Sequence, residues 1–269
     1  HAASKLLPRN VRNSCLALYA FCRLADDEVD LKEDKSASVY DLVERLDQVY
    51  SGKPRNLPMD RAFTRMVEET QMPKALPEAL IEGLVWDAME RRYKTFEELV
   101  AYSARVASAV GVMMCVIMRQ RDSNVLARAC DLGVAMQLTN IARDVCEDKA
   151  RNRQYIEHDF SSIRNIINES QAFYEKSFAS ISSIPVKSRF SVIVARRVYR
   201  KIGDYILKQN NIDNYNKAGK IYVPVFEKVI QTFLSVIDFI KLLFIKNLNY
   251  DNQLNHNILE EEINFNERI

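Results

Sequence analysis

Residues 123–150, SNVLARACDLGVAMQLTNIARDVCEDKA, decide how this chain folds and what it holds. Apolar side chains recur there at three- and four-residue steps, which predicts one long helix from Asn124 to Ala150 with Ser123 available as its N-cap. Along it, Gln137, Asn140, Asp144 and Asp148 follow one another at spacings of three, four and four, so they share one face. Their neighbours Val134, Met136, Leu138 and Ile141 are apolar. Turning an amide pair and two carboxylates toward the inside of a bundle costs several kcal/mol unless each finds a partner. A cluster of cations would be such a partner.

A second stretch answers the first. In LLPRNVRNSCLALYAFCRLADDEVD, residues 6–30, apolar side chains keep helical spacing from Val11 to Val29, with Pro8 near the start. Tyr19, Arg23, Asp26 and Asp30 form a single polar stripe on that helix. Taken alone, Asp26 and Asp30 fit a solvated helix end as well as a binding site, since like charges at i and i+4 on an exposed helix repel by only ~0.2–0.5 kcal/mol. Two facing helices that each offer a carboxylate pair make an oxygen-rich site with incomplete coordination. Such a site suits magnesium, which keeps its waters and borrows phosphate oxygens from a substrate, and manganese is the second option. Zinc is disfavoured, because the chain has only three histidines and none is paired at ligand spacing. Arg23, Arg143 and Arg153 could neutralise further phosphate charge, although Arg143 also fits an ordinary surface arginine paired with a neighbouring acid.

Outside these two stretches the chain is also helical in pattern. Helices are expected over Val39–Tyr50, Arg61–Gln71, Pro77–Tyr93, Phe96–Arg119, Ser162–Ile184 and Val186–Gln209, and the breaks between them suit antiparallel neighbours in a bundle. RNRQYIEHDF (151–160) reads as a loop, and QNNIDNYNKAG (209–219) as a polar, turn-rich link. The segment Ile221–Ile245 keeps Glu227, Lys228, Asp238 and Lys241 among its apolar residues, which fits a packed amphipathic helix; it also has the make-up to lie in a membrane interface, so peripheral membrane contact stays open. Residues 1–246 are expected to form one catalytic domain, and 247–269 a polar Asn- and Glu-rich tail.

Composition narrows the partners. With 48% hydrophobic residues, six glycines and seven prolines, a 269-residue chain has room for one large helical core. The net charge is +2 with both signs interspersed, so no basic field points to nucleic acid. Five cysteines (Cys15, Cys22, Cys115, Cys130, Cys146) without a CxxC pair read as buried thiols of a reducing compartment. No apolar run reaches the about eighteen uninterrupted residues of a span. The chain begins at His1, and the natural N-terminus is expected to lie upstream.

LALYAFCRLADDEVD (16–30) and GVAMQLTNIARDVCEDKARNRQYI (133–156) resemble the two aspartate-rich signatures of the squalene and phytoene synthase family, most closely its bacterial phytoene synthases. IEGLVWDAMERRYKTFEELVAYSARVASAVGVMM (81–114) resembles the family's central helices, and ARRVYRKIG (195–203) a later one. The resemblance implies an all-α isoprenoid synthase-type helical bundle around a central active-site cavity. It also implies the reaction: two geranylgeranyl diphosphates condense head to head, through a cyclopropylcarbinyl diphosphate, to phytoene. No NADPH is expected for that outcome. By the same resemblance Asp26, Asp30, Asp144 and Asp148 bind metal, and Tyr19, Arg23, Gln137, Asn140 and Tyr155 line the diphosphate and intermediate site. Tyr102, Val106, Val110 and Gly111 border the prenyl cavity, and Tyr199 is a late tyrosine near the site. For Val106, Val110 and Gly111, plain helix packing explains the residues equally well.

The chain departs from the family pattern at Ser108, where glycine is common, at Glu157, where proline is usual, and after His158, where about one helix is missing by comparison with the usual helix lengths. Two rival readings follow from the same residues. One is a squalene, dehydrosqualene or hydroxysqualene synthase taking farnesyl diphosphate, separated from the first only by cavity depth. The other is a non-catalytic relative acting as an assembly factor, against which the four retained aspartates argue. The expected location is the bacterial cytoplasm, peripheral to the membrane, with a plastid or other organelle second. Oligomeric state is open.

Overall fold

The computed structural model describes residues 6–31 and 34–245. The expected tail, 247–269, lies outside these residues. Among the described residues the regular structure is helical throughout, without a strand. Helix α1 spans Arg9–Leu31, α2 Lys35–Tyr50, α3 Pro58–Thr70 and α4 Ala75–Ala88. Then α5, Phe96–Ser103, runs through a π-helical turn, Ala104–Ser108, straight into α6, Ala109–Ile117. Helix α7 is Ser123–Ala150 and α8 is Phe160–Phe178, which tightens into a 3₁₀ turn, Ala179–Ser183. The chain ends in α9, Val186–Leu207, α10, Ile212–Ala218, and α11, Val225–Leu243.

The two helices that the sequence singles out hold the bundle together. α7 packs against α8, α9, α6, α5 and the π turn, while α1 packs against α2, α3, α4 and α6. One apolar core gathers α1–α4, α6 and the start of α7; a second gathers α5, the later part of α7, α8 and α9. The segment 96–117 is long and apolar enough to cross a membrane by length and composition, but it is mostly buried inside the protein as a core element of both clusters.

Several boundaries differ from the sequence expectation, each for a local reason. α4 stops at Ala88, because Met89 and Arg91 turn their amides back to Val85 and Trp86 and Glu90 takes a positive φ; Tyr93 therefore leaves the helix and joins an aromatic cluster with Tyr102 and Tyr155. The N-cap of α7 is Asp122 rather than Ser123, with its carboxylate accepting from the Val125 amide at 3.1 Å. The link 209–219 contains α10, because the Asn211 side chain accepts from the Asn214 amide at 2.8 Å and caps a short helix.

The π turn is the least regular feature and is wedged between two glycines. A Cβ on Gly133 of α7 would stand 2.6 Å from the Ser108 Cα, and one on Gly83 of α4 would stand 2.5 Å from a Val106 methyl. At Gly133 backbone meets backbone, and the Ser108 hydroxyl donates to the Cys130 carbonyl at 2.7 Å. Such one-turn bulges re-aim the side chains around them. Here they carry Val106 and Ala107 to the wall of a cavity.

Candidate active site

Two connected cavities lie between α1, the π turn, α7 and α9. The first, about 520 Å³, is polar: Tyr19, Arg23 and Asp26 of α1 face Gln137, Asn140, Arg143, Asp144 and Asp148 of α7, with Asp87, Tyr102, Arg153, Tyr155 and Tyr199 completing the wall. The second, about 480 Å³, is lined mostly by apolar residues, among them Leu18, Val106, Val110, Gly111, Met114 and Met136. Tyr19, Cys22, Val106, Val110, Gln137, Asn140 and Tyr199 line both, so the polar cleft opens directly into the apolar tunnel. A ligand with an anionic head and a long hydrocarbon tail matches that division.

Charge is concentrated in the cleft and only partly compensated. Burial, and then the charge of Asp30, raises Asp26 above the usual carboxylate range. Burial, and then Asp144, pushes Asp148 up to about 7. These are the marks of acids that repel one another in a poorly solvated place. The cations already present take part of the load. Asp30 holds Arg153 and, at 3.1 Å, Arg151. Arg143 grips Asp144 through two bonds of 2.7 and 2.6 Å, which gives it the partner expected of a surface arginine but inside the cleft wall. Arg23 is exposed and pairs with Asp27 at 2.8 Å and Asp26 at 3.5 Å.

The residue set fits divalent cations. Among the described residues no three His, Cys, Asp or Glu side chains stand together as a finished metal cage. The acids instead come as separate pairs on α1 and α7, and the Oδ1 of Asn140 is buried without a hydrogen-bond partner. Half-built oxygen sites of this kind leave positions for water and phosphate oxygens, as magnesium prefers. Asp26, Asp30, Asp144, Asp148 and Asn140 are the side chains that could hold it.

Every residue expected from the sequence to belong to the site lies in or beside these cavities. Asp30 and Gly111 differ from the rest: Asp30 sits behind the cleft wall in its arginine pair, and Gly111 lines the tunnel alone, whereas Val106 and Val110 line both spaces. Tyr19 is 63% exposed, at the junction of the two spaces. The thiols are all free, as expected, but Cys22 and Cys146 are only half-buried. Burial pushes Cys15, Cys22 and Cys115 up to about 12, so they are inert at neutral pH.

Three contributors were not foreseen. Asp87 of α4 is 6% exposed and accepts hydrogen bonds from the Tyr102 hydroxyl at 2.7 Å and the Tyr155 hydroxyl at 2.6 Å, which also touch one another at 3.0 Å. Burial raises its pKa, opposed by the nearby Arg153 and the two tyrosines. The acid between Trp86 and Ala88 in the largely apolar run IEGLVWDA was the available signal, because a buried carboxylate must have partners. Lys220, from the link before α11, reaches Glu147 at 2.6 Å and Asp144 at 3.4 Å. Arg151 closes on Asp30 from the end of α7.

Comparison with known proteins agrees with this geometry. Residues 1–160 match the family model described as squalene/phytoene synthase. The phytoene synthase of Cereibacter sphaeroides is 47% identical over 251 residues, covering 81% of this chain and 70% of that protein. That of Rhodobacter capsulatus is 46% identical over 233 residues, covering 77% and 69%. Among solved structures, a dehydrosqualene synthase in complex with ligand superposes with a TM-score of 0.79 at 28% identity, over 89% of this chain and 90% of that one. A squalene synthase from Alicyclobacillus acidocaldarius, with a TM-score of 0.67 at 23% identity over 82% of this chain and 89% of that one, shares the fold. An acid-paired polar cleft opening into an apolar tunnel, on a bundle of this shape and with this degree of identity, makes the chain a member of the squalene/phytoene synthase family.

Proposed function

We propose that the protein is a phytoene synthase that condenses two geranylgeranyl diphosphates head to head, and that magnesium is its metal. The observation that carries this is the direct junction of the acid-lined cleft with the apolar tunnel, supported by the identity to bacterial phytoene synthases. Magnesium, held by the aspartate pairs of α1 and α7, would stabilise the charge that develops on the departing diphosphate.

The protein's own groups divide the remaining work. Arg23, Arg143 and Arg153, which line the cleft beside Asp26, Asp144 and Asp30, would offer guanidinium groups to phosphate oxygens. Lys220 adds a point charge next to Asp144, held there by Glu147. Gln137 and Asn140, at the border of cleft and tunnel, orient the bond between head and tail. Val106, Val110, Gly111 and Met136 exclude water from the cationic carbon that ionisation leaves behind. Tyr19 and Tyr199 present aromatic faces at the junction, where a desolvated cation gains ~1–2 kcal/mol. Bacterial cytoplasm is the proposed location, and no reductant is required for this product.

The test is direct. Purified protein is incubated with magnesium and labelled geranylgeranyl or farnesyl diphosphate, with and without NADPH, and the extracted hydrocarbon is identified. Phytoene from the longer substrate without NADPH is the expected result. A squalene-type product from the shorter one would move the assignment to that neighbouring activity. Absence of any hydrocarbon, with intact fold, would overturn the catalytic assignment.

A further inference from the structure

The side of α7 turned away from the polar cleft carries a second group of donor atoms. Cys146 stands two residues from both Asp144 and Asp148, and at about 100° per residue its side chain points away from theirs. There it meets His158, from the loop before α8, and Asn216, from α10. The Cys146 Sγ lies 3.7 Å from His158 Nε2 and 3.2 Å from Asn216 Oδ1, while Nε2 and Oδ1 are 3.0 Å apart. None of the three residues lines the cleft or the tunnel, and the proposed reaction uses none of them.

The trio is held by its surroundings. Tyr215, beside Asn216, is buried and donates to the carbonyls of Ala142 at 3.0 Å and Arg143 at 2.8 Å, which fixes α10 against α7. Asp159, beside His158, caps α8 by accepting from the Ser162 amide at 2.9 Å. Bonds from zinc of about 2.3 Å to sulfur and about 2.0–2.1 Å to nitrogen and oxygen place tetrahedral ligands roughly 3.4–3.6 Å apart, so the observed triangle departs from a zinc shell by about 0.4 Å or less. Cys146 and His158 are half-buried and Asn216 is exposed, which gives an ion a way in and leaves a fourth position for water. Sulfur and imidazole donors select zinc over magnesium, the reverse of the oxygen-only cleft.

We propose that Cys146, His158 and Asn216 form a zinc site that staples α10 and the loop 151–159 to α7, with the thiol proton displaced by the metal. Arg153 and Tyr155 of the cleft wall lie in the loop between its first two ligands. The site stands apart from the carboxylate cleft, so it is independent of the catalytic assignment.

Cobalt(II) titration of the whole chain tests this, after chelation and with magnesium in excess. A thiolate bound to cobalt gives a near-ultraviolet charge-transfer band that carboxylates do not, and zinc should bleach it at a single equivalent. Cys146→Ser should abolish the band, and Cys22→Ser should keep it. His158→Ala should weaken zinc binding by more than about 100-fold, beyond the loss that outer-shell partners give. Asn216→Ala should weaken it less, and Asn216→Asp should tighten it by adding a charge. At 100 times its Kd, zinc should raise the Tm of the unmodified protein by about 5–10 °C and leave that of Cys146→Ser in place. Absence of the band, its survival in Cys146→Ser, or zinc affinity unchanged by His158→Ala would overturn the proposal and leave the trio a hydrogen-bonded contact. Circular dichroism of the metal-free variants checks that each is folded.

Discussion

Replacing Asp87 by alanine tests how the back wall of the polar cleft is held. The carboxylate accepts from Tyr102 and Tyr155, and both rings are packed against one another and against Tyr93. Without it, the two hydroxyls still have each other at 3.0 Å, so one can donate to the other and only one is left without an acceptor. An unsatisfied buried hydroxyl costs about 1–3 kcal/mol, and relief of the burial that raises the Asp87 pKa offsets part of any further loss. The expected destabilisation is therefore about 1–3 kcal/mol, not the sum of two charged hydrogen bonds, which would be about 3–6. For a chain of this size that lowers Tm by roughly 2–12 °C. Thermal melts of Asp87→Ala, Tyr155→Phe and the double variant, followed at 222 nm, check the number and the coupling. If Asp87→Ala melts with the unmodified protein, or if the two changes add without interaction, the carboxylate does not hold the tyrosines and the reasoning fails.

Four other outcomes follow from the same structure. Asp144→Asn and Asp148→Asn should each lower metal-dependent turnover by about 10²-fold or more, measured as hydrocarbon formed at saturating substrate, because half of the proposed metal-holding pair is neutralised. Since protons compete with metal for Asp148, whose pKa is raised to about 7, the magnesium concentration for half-maximal activity should fall as pH rises from about 5.5 to 7 and level off above; a flat profile would exclude Asp148 as a ligand. Gly133→Val should destabilise by about 1–3 kcal/mol or more in chemical denaturation, since even its Cβ would meet the Ser108 backbone at 2.6 Å and backbone cannot step aside. Ala107→Phe, which fills part of the 480 Å³ tunnel, should cut turnover of geranylgeranyl diphosphate relative to farnesyl diphosphate by about tenfold in a competition assay.

Much of the site is legible in one dimension because helices convert spacing into direction. Gln137, Asn140, Asp144 and Asp148 had to share a face once α7 was helical, and the apolar residues between them had to point elsewhere. The same holds for Asp26 and Asp30 on α1. Asp87 was missed because its partners stand 15 and 68 residues away, and nothing local in IEGLVWDA says which tyrosines will meet it. Lys220 was missed because a lysine in a polar link has no periodicity to betray its aim. The π turn escaped because its cause lies outside it, in the two glycines of α4 and α7 that let the widened backbone close against them.

α11 shows where the division falls. Its sequence specified an amphipathic helix and no more: an apolar stripe and a polar stripe of similar length, either of which could face the bundle. The sequence by itself thus determined the long helices, their stripes, and the pairing of acids proposed to hold a cation, because each depends on residues within a few turns of one another. Tertiary structure alone decided which stripe faces inward, which arginines hold the carboxylates before any substrate arrives, and that the cleft opens into a tunnel. Those outcomes are set by contacts between elements far apart in the chain, such as Arg197 with Asp238 and Arg153 with Asp30, whose energies no local pattern contains.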